Sequence, residues 1–189
     1  MVLARMLPAW SSWSSACTAM LLVAALFPAR PVFAADPGRS KAEMLWNIAK
    51  FIQWPEEALV ASKGQLVFTI LGEDELAGEL AGLLSTRTIN GKPVFVRFAR
   101  RAQDARGSQI LYVAASEREH MAEVLAAVEG TPVLTVGDTP AFAAHGGMVG
   151  FTSDNGRVRF EINLGHAERT GLKLSAKLLA LARVVDQTP

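Results

Sequence analysis

Cysteine is nearly absent from this chain of 189 residues, in which Cys17 is the only one. A single cysteine excludes an internal disulfide and a cysteine-rich metal centre. An excess of charge of either sign is absent too, because 19 lysines and arginines stand against 18 aspartates and glutamates. We therefore expect no binding of nucleic acid through overall charge. Half of the residues are apolar, which is typical of a globular protein rather than a disordered one.

The short motifs that mark common catalytic and cofactor sites are also missing. The chain contains no G-x-S-x-G, H-E-x-x-H, C-x-x-C or P-loop sequence. Its three histidines lie far apart, and a surface or packing role is the ordinary expectation for His120, His145 and His166. We therefore predict a protein that is not an enzyme and that holds no cofactor and no metal. A hydrolase whose residues leave no recognisable motif is the open alternative.

The N-terminal segment has the organisation of an export signal. Arg5 supplies a positive charge, residues 16–27 form an apolar run, and residues 32–34 (VFA) fit a cleavage site. The apolar run is shorter than the roughly 20 residues that span a bilayer as a helix. We predict that residues 1–34 are a cleavable signal peptide and that residues 35–189 form one exported domain without cysteine. An uncleaved N-terminal anchor is the alternative.

Apolar runs and helical periodicities alternate along the rest of the chain. Residues 66–71 form a continuous β-branched and aromatic run, typical of a strand buried on both faces of a parallel sheet. Five more strands are predicted at residues 94–98, 110–114, 133–136, 148–152 and 158–162. Helices are predicted from Ser40 to residue 52 and at residues 74–84, 116–128 and 166–185, with a short helical segment at 140–144. This alternation predicts the α/β class: a single three-layer domain with a mostly parallel sheet and flanking helices.

Two glycine-containing segments predict local backbone geometry near the C-terminus. Asp154-Asn155-Gly156 separates the last two predicted strands and is the strongest hairpin signal in the chain. It therefore predicts a C-terminal β-hairpin. Gly146-Gly147, just before this hairpin, indicates either positive φ or a close approach to the backbone.

The predicted last helix is apolar nearly all round, which requires burial on more than one side. Leu178 and Leu179 lie in its middle. The helix either packs only under the sheet or also contacts a partner subunit, so both leucines are candidate interface residues. Trp54 precedes Pro55 and ends the first predicted helix. It either packs under that helix end or belongs to a binding surface.

Polar residues follow three of the predicted parallel strands. Asp74, Ser116 and Asp138 each lie just beyond the carboxyl end of a strand. Ligands of open parallel sheets bind at this edge, so the three residues are candidates for binding a small polar ligand. In the alternative, they are only helix caps and turn formers.

A second set of candidate ligand-binding residues lies on and after the last predicted strand. Arg159, Glu161 and Asn163 alternate, so they share one face of what we predict to be a half-buried edge strand. This polar row is either a solvated face or a binding surface. Arg169 follows it and adds positive charge beside it.

Several motifs together resemble the YfiR-like family of periplasmic regulators. The resemblance extends from residue 41 to about residue 185. It rests on seven segments: residues 41–55 (KAEMLWNIAKFIQWP), 70–74 (ILGED), 90–94 (NGKPV), 132–138 (PVLTVGD), 142–148 (FAAHGGM), 159–164 (RFEINL) and 171–179 (GLKLSAKLL).

The resemblance implies a non-enzymatic periplasmic regulator. Proteins of this family bind the periplasmic domain of an inner-membrane diguanylate cyclase and repress it, which lowers cyclic di-GMP and biofilm formation. The resemblance also implies a homodimer, a six-stranded sheet and binding of small ligands. A small-molecule sensor that uses the crevice at the strand ends is the alternative function. Many relatives have a cysteine just before the third strand, where this chain has Ser108, so we expect no redox sensing here.

Overall fold

The computed structural model describes residues 37–186. The predicted signal peptide, residues 1–34, lies outside the described residues, and its cleavage stays a prediction. Within residues 37–186, no helix combines the length and the apolar character needed to cross a membrane.

Helices and strands alternate through most of the described chain. The α-helices are α1 (Pro37–Ala49), α2 (Glu56–Ala61), α3 (Glu75–Leu84), α4 (Met121–Ala127), α5 (Leu164–Arg169) and α6 (Ala176–Leu179). The strands are β1 (Ile52–Gln53), β2 (Leu66–Leu71), β3 (Thr88–Ile89), β4 (Lys92–Ala99), β5 (Ile110–Val113), β6 (Leu134–Gly137), β7 (Val149–Asp154), β8 (Arg157–Asn163), β9 (Lys173–Leu174) and β10 (Arg183–Val185). Two 3-10 helices are Ala102–Ala105 and Ala115–His120.

Eight of these strands form one sheet, in the order β10-β8-β7-β6-β5-β2-β4-β3. The neighbours from β7 to β4 are parallel, whereas β8 and β3 run antiparallel to β7 and β4. The predicted α/β class, the mostly parallel sheet and the C-terminal hairpin are therefore confirmed. The predicted number of six strands is too low, because β3 and β10 extend the sheet at its two edges.

Alternating side chains of the central strands build an apolar core on each face of the sheet. Phe68 of β2 packs in one core with Leu45 of α1 and Leu80 of α3. Leu71, three residues along β2, packs in the other core with Val124 of α4. Side chains of a strand alternate between faces, so a strand covered on both sides has an unbroken apolar run. This explains why residues 66–71 show no polar alternation.

The glycine-containing segments near the C-terminus have the predicted geometry. Asn155 and Gly156 have φ of +50° and +74°, as a two-residue hairpin turn requires. Gly146 has φ of +100°. Gly147 lies so close to Phe142 that a Cβ on it would come within 2.1 Å of the aromatic ring. Residues 140–146 form turns that place Phe142 there, so the predicted short helix at 140–144 is wrong.

The first helix begins and ends earlier than predicted. Pro37 is its first residue, a position where the missing N–H breaks no hydrogen bond. Ser40, the predicted first residue, lies inside α1. After Ala49 the chain leaves the helix, and Ile52 pairs with Leu174 in a small antiparallel sheet of β1 and β9. The helix α2 occupies a segment that was predicted to be a connection.

The long C-terminal helix predicted at residues 166–185 is also wrong. α5 ends at Arg169, and Gly171 has φ of +79°, a left-handed conformation that terminates helices. Ser175 then caps the single-turn helix α6, because its Oγ accepts from the backbone N of Leu178. The chain ends in β10, which pairs in parallel with β8. The segment therefore consists of four short elements and the turns between them.

Candidate functional site

Asp74 lies between β2 and α3, and both of its carboxylate oxygens have protein donors. Oδ1 accepts from the backbone N of Ala77 at 2.7 Å and caps α3. Oδ2 accepts from the hydroxyl of Tyr112 at 2.7 Å and from the backbone N of Ala115 at 2.9 Å. Burial first, and then the hydrogen bond and charge of Asp74, raise the pKa of Tyr112 far above its ordinary value. Asp74 thus joins α3 to the end of β5.

Ser116 follows β5 and contacts the end of β2. Its Oγ accepts from the backbone N of Glu73 at 2.9 Å. Gly72 has φ of +81°, and a Cβ on it would come within 2.4 Å of that Oγ. The predicted helix at 116–128 begins as a 3-10 helix, and Ser116 does not cap it. Asp74 and Ser116 nevertheless lie at the carboxyl ends of the neighbouring parallel strands β2 and β5, as the sequence predicts.

Asp138 follows β6 and lines a cavity with two ion pairs. Lys41 Nζ of α1 lies 2.8 Å and 2.7 Å from the two oxygens of Asp138. The second pair joins Glu161 of β8 to Arg183 of β10. Both pairs, together with Phe151, line a cavity of about 470 Å³. Two cations, two carboxylates and an apolar wall suit a small polar or zwitterionic ligand.

The polar row on β8 is more buried than the sequence predicts. Arg159 is exposed, but Glu161 and Asn163 are only 3% and 2% exposed. The prediction of an edge strand is wrong, because β10 pairs with the outer side of β8. Asn163 accepts from the backbone N of His166 at 3.0 Å and donates to the carbonyl of Ala143 at 3.1 Å. Of this row, Glu161 lines the cavity of Asp138, and Asn163 caps α5.

Arg169 lies in a different cavity, of about 380 Å³, beside the end of α4. His166, His145 and Glu129 line it too. The Nδ1 atom of His166 is buried and has no hydrogen-bond partner among the described residues. Burial, and secondarily the charge of Arg169, lower the pKa of His166, against a smaller opposing effect of the Gly146 backbone and Glu129. Within residues 37–186, no group of three or more His, Cys, Asp or Glu side chains is placed to hold a metal ion.

Acidification is expected to destabilise the protein through His166. Folding lowers the pKa of this imidazole, so the unfolded chain binds the proton more tightly. The stability contribution is therefore complete above the unfolded pKa of about 6.5 and is lost as the pH falls from that value through the lower pKa of the folded protein. Between about pH 7.5 and pH 5, the free energy of unfolding should fall less in His166→Gln than in the wild-type protein. Guanidinium titration at each pH measures this free energy. His145→Gln, at an exposed position in the same cavity, should behave like wild type, and equal pH profiles for both variants would contradict this assignment.

The three candidate interface residues lie in or against the core. Trp54 is 9% exposed, and its Nε1 donates to the carbonyl of Gln109 at 2.9 Å. Leu178 is 2% exposed, and Leu179 is partly buried against the same core. Their role at an interface stays a prediction, but the long helix that supported it for the two leucines does not form.

Ser108 lies where the family resemblance places a cysteine in many relatives. Its Oγ is 2.6 Å from Oγ1 of Thr69 on β2. Arg97 of β4 donates to both hydroxyls, at 2.8 Å to Thr69 and 3.0 Å to Ser108. Hydrogen bonds thus link β2, β4 and the segment before β5 at this position.

Two residues of the cavity at Asp138 were not identified from the sequence. Lys41 lies 97 residues from Asp138, and no local pattern connects them. Arg183 lies in the segment predicted as helix, so its pairing with Glu161 could not be anticipated. The β-branched pair Val184-Val185, beside Arg183, was the available signal for a strand.

The described domain has the sequence of a known family. Residues 39–183 match the YfiR/HmsC-like family (DUF4154), and the chain belongs to this family. The resemblance found from the sequence motifs is therefore confirmed.

Two solved structures are similar to the chain. A conserved domain protein from Vibrio cholerae O1 biovar El Tor is 14% identical, with a TM-score of 0.53, over 78% of this chain and 60% of that chain. The ABC domain in complex with L-Trp from Streptococcus pneumoniae is 12% identical, with a TM-score of 0.49, over 73% of this chain and 60% of that chain. The chain thus spans 60% of the length of each. The first similarity supports the fold alone, and the second is too distant to support it.

Proposed function

We propose that this protein is a non-enzymatic periplasmic regulator that represses an inner-membrane diguanylate cyclase. As a homodimer, it binds the periplasmic domain of the cyclase and lowers cyclic di-GMP and biofilm formation. The match to the YfiR/HmsC-like family over residues 39–183 is the observation that supports this proposal. The predicted signal peptide at residues 1–34 supports the periplasmic location.

Deletion of the gene is expected to raise cyclic di-GMP and surface attachment severalfold, because the protein acts as a brake on the cyclase. The measurement is the cyclic di-GMP content of the deletion strain, of the complemented strain and of a strain that also lacks the cyclase. The complemented strain should return to the wild-type level, and loss of the cyclase should abolish the increase. An unchanged level in the deletion strain, while the cyclase is expressed, would refute the brake.

The second candidate function is sensing of a small polar ligand in the cavity at Asp138. The observation that favours it is that two ion pairs line this cavity: Lys41 with Asp138, and Arg183 with Glu161. A ligand that binds only the folded protein raises its melting temperature. Such a ligand could also shift the repressing state, so this function is compatible with the first.

Asp138→Ala is expected to abolish the ligand-dependent rise in melting temperature while lowering the stability of the free protein only slightly. The Lys41 and Asp138 side chains are 21% and 26% exposed at the rim of a cavity. Water can therefore still reach Lys41 after the change, and the loss should be about 1–2 kcal/mol, between the values for exposed and buried pairs. Melting curves with a panel of free amino acids test this, and Glu43→Ala, which removes an exposed ion pair of α1, is the control. If Asp138→Ala lowers the melting temperature of the free protein as much as it lowers the ligand-dependent rise in melting temperature, Asp138 serves only to shape the turn.

A further inference from the structure

The outer edge of β4 is largely unpaired. On its inner side, residues 94–99 pair with β2 throughout. On its outer side, β3 pairs only with Lys92 and Pro93, and no described strand lies beyond β3 in the sheet. A lysine and a proline blunt an edge where they occur, but residues 94–99 contain neither. The backbone is therefore open to another strand along these residues.

The strand register identifies the backbone groups that face outwards. The carbonyl oxygen of Val67 accepts from the N of Gln109, so odd-numbered residues of β2 face β5 and even-numbered ones face β4. Phe68 lies opposite Val96, and in parallel pairing it bonds to the residues on either side of Val96. The N–H and C=O groups of Val96 and Phe98 therefore point away from β2.

Two exposed aromatic side chains flank this open backbone. Phe95 is 55% exposed and Phe98 is 65% exposed. Because they are three positions apart, they lie on opposite faces of the strand. An added strand would thus gain main-chain hydrogen bonds from the edge and one aromatic contact on each face.

The edge is also strongly basic within a nearly neutral protein. Residues 86–106 contain six lysines and arginines and a single aspartate. Two of the arginines are held elsewhere: Arg97 hydrogen-bonds inward to Thr69 and Ser108, and Arg106 donates to the carbonyl of Ala127. Arg100 and Arg101 are exposed directly after β4, and Lys92 lies at its start. The aspartate, Asp104, is 3.8 Å from Arg101. Both ends of the open stretch therefore favour acidic residues in whatever binds there.

A second copy of this chain meets that requirement poorly in the two antiparallel registers that overlap most. Antiparallel self-pairing centred on Val96 would bring Lys92 opposite Arg100 of the other copy. Pairing centred on Arg97 would bring the two copies of Arg97 together. Like charges directly opposite each other destabilise a strand pair.

We propose that the outer edge of β4 binds an extended segment of another protein, apolar in its middle and acidic at its ends, as an additional strand of the sheet. Main-chain hydrogen bonds provide the affinity of such strand addition, and side-chain contacts provide its specificity. If the proposed function holds, this segment belongs to the periplasmic domain of the cyclase, and that assignment rests on the proposed function.

The test is a labelled peptide of alternating valine and threonine with two glutamates at each end. Fluorescence anisotropy measures its binding to the protein purified from the periplasm. We expect the peptide to bind, whereas the same peptide with lysines in place of the glutamates should not. A third peptide with methylated backbone nitrogens, which cannot donate ladder hydrogen bonds, should bind about tenfold more weakly or not at all.

Two protein variants locate the binding on β4. Val96→Pro removes an outward N–H and leaves the β2 ladder its hydrogen bonds, so it should weaken binding about tenfold. Because this change could also affect folding, the double variant Arg100→Glu/Arg101→Glu tests charge alone. It should lose the preference for the glutamate-flanked peptide, and Lys92 remains at the other end of the edge. Arg118→Glu, at a basic position on the Ala115–His120 helix, is the control and should bind like wild type.

Equal binding of the glutamate- and lysine-flanked peptides would overturn the proposal. So would full binding of the methylated peptide, or binding of anionic phosphatidylglycerol vesicles with none of the peptide. The proposed function is decided separately, by the cyclic di-GMP content of the deletion strain. The deletion strain is also complemented with the Arg100→Glu/Arg101→Glu variant. If deletion raises the cyclic di-GMP content and this variant fails to lower it to the wild-type level, the cyclase is the partner at this edge.

Discussion

Asp74→Ala is expected to lower the free energy of unfolding by about 1.5–5 kcal/mol. The carboxylate caps α3, and loss of such a cap costs about 0.5–2 kcal/mol. It also accepts from Tyr112, whose side chain is fully buried. A buried donor left without an acceptor costs about 1–3 kcal/mol more. Equilibrium unfolding in guanidinium measures the sum.

Asp138→Ala is the matched control for this prediction. Asp74 follows β2 and Asp138 follows β6, at the same edge of the sheet. The same sequence pattern predicts both as ligand-binding residues. Asp138, however, pairs with a side chain of α1 at the rim of a cavity, so its loss should cost only about 1–2 kcal/mol and less than the loss of Asp74. Similar losses for the two variants would contradict the role assigned to Asp74.

Tyr112→Phe provides a second check on the role of Asp74. This change removes the buried donor that Asp74→Ala would leave unsatisfied. In the Phe background, Asp74→Ala should therefore cost less than in wild type, by about 1–3 kcal/mol. Purely additive costs would show that Tyr112 and Asp74 do not interact.

The central strands and the hairpin could be predicted because their signals are local. Apart from Thr69, Leu66–Leu71 has apolar side chains on both faces, as expected for a strand covered on both sides. Asn155-Gly156 specifies its own turn through two positive φ angles. The family resemblance came from motifs distributed over the same elements, and it is confirmed over residues 39–183.

The C-terminal segment could not be predicted because its apolar spacing suits more than one structure. Gly171 lies within an apparent helical pattern, but its positive φ ends α5 there. β10 forms only because β8 offers it an edge, and this is a tertiary contact. The paired partners of Asp138 and Glu161 were missed for the same reason, since they come from elements distant in sequence.

The candidate ligand-binding residues were placed at the correct edge but not in one site. Parallel strands end together, so Asp74, Ser116 and Asp138 lie near that edge as expected. Their hydrogen-bond partners depend on the surrounding elements: Asp74 and Ser116 bind backbone groups, whereas Asp138 faces a cavity. Arg169 lines another cavity beside α4. Ligand binding at these residues stays a prediction.

Leu178→Asp is expected to prevent stable folding. Leu178 is 2% exposed in the main core. Its replacement removes about 1.5–3 kcal/mol of apolar burial. It also places a carboxylate in an apolar core, so the total loss should exceed about 4 kcal/mol. Leu179→Asp should be milder because Leu179 is only partly buried, and a folded Leu179→Asp protein that elutes as a monomer would support the predicted interface.

Leu181→Asp is the variant that separates this structure from the single long helix. In such a helix, Leu178 and Leu181 would lie on one face, and aspartate would be about equally harmful at both positions. In the structure, Leu181 is 69% exposed beyond the end of α6. Its replacement should therefore change the unfolding free energy by no more than about 0.5 kcal/mol. A Leu181→Asp protein as unstable as Leu178→Asp would show that the segment between Ser175 and β10 is helical after all.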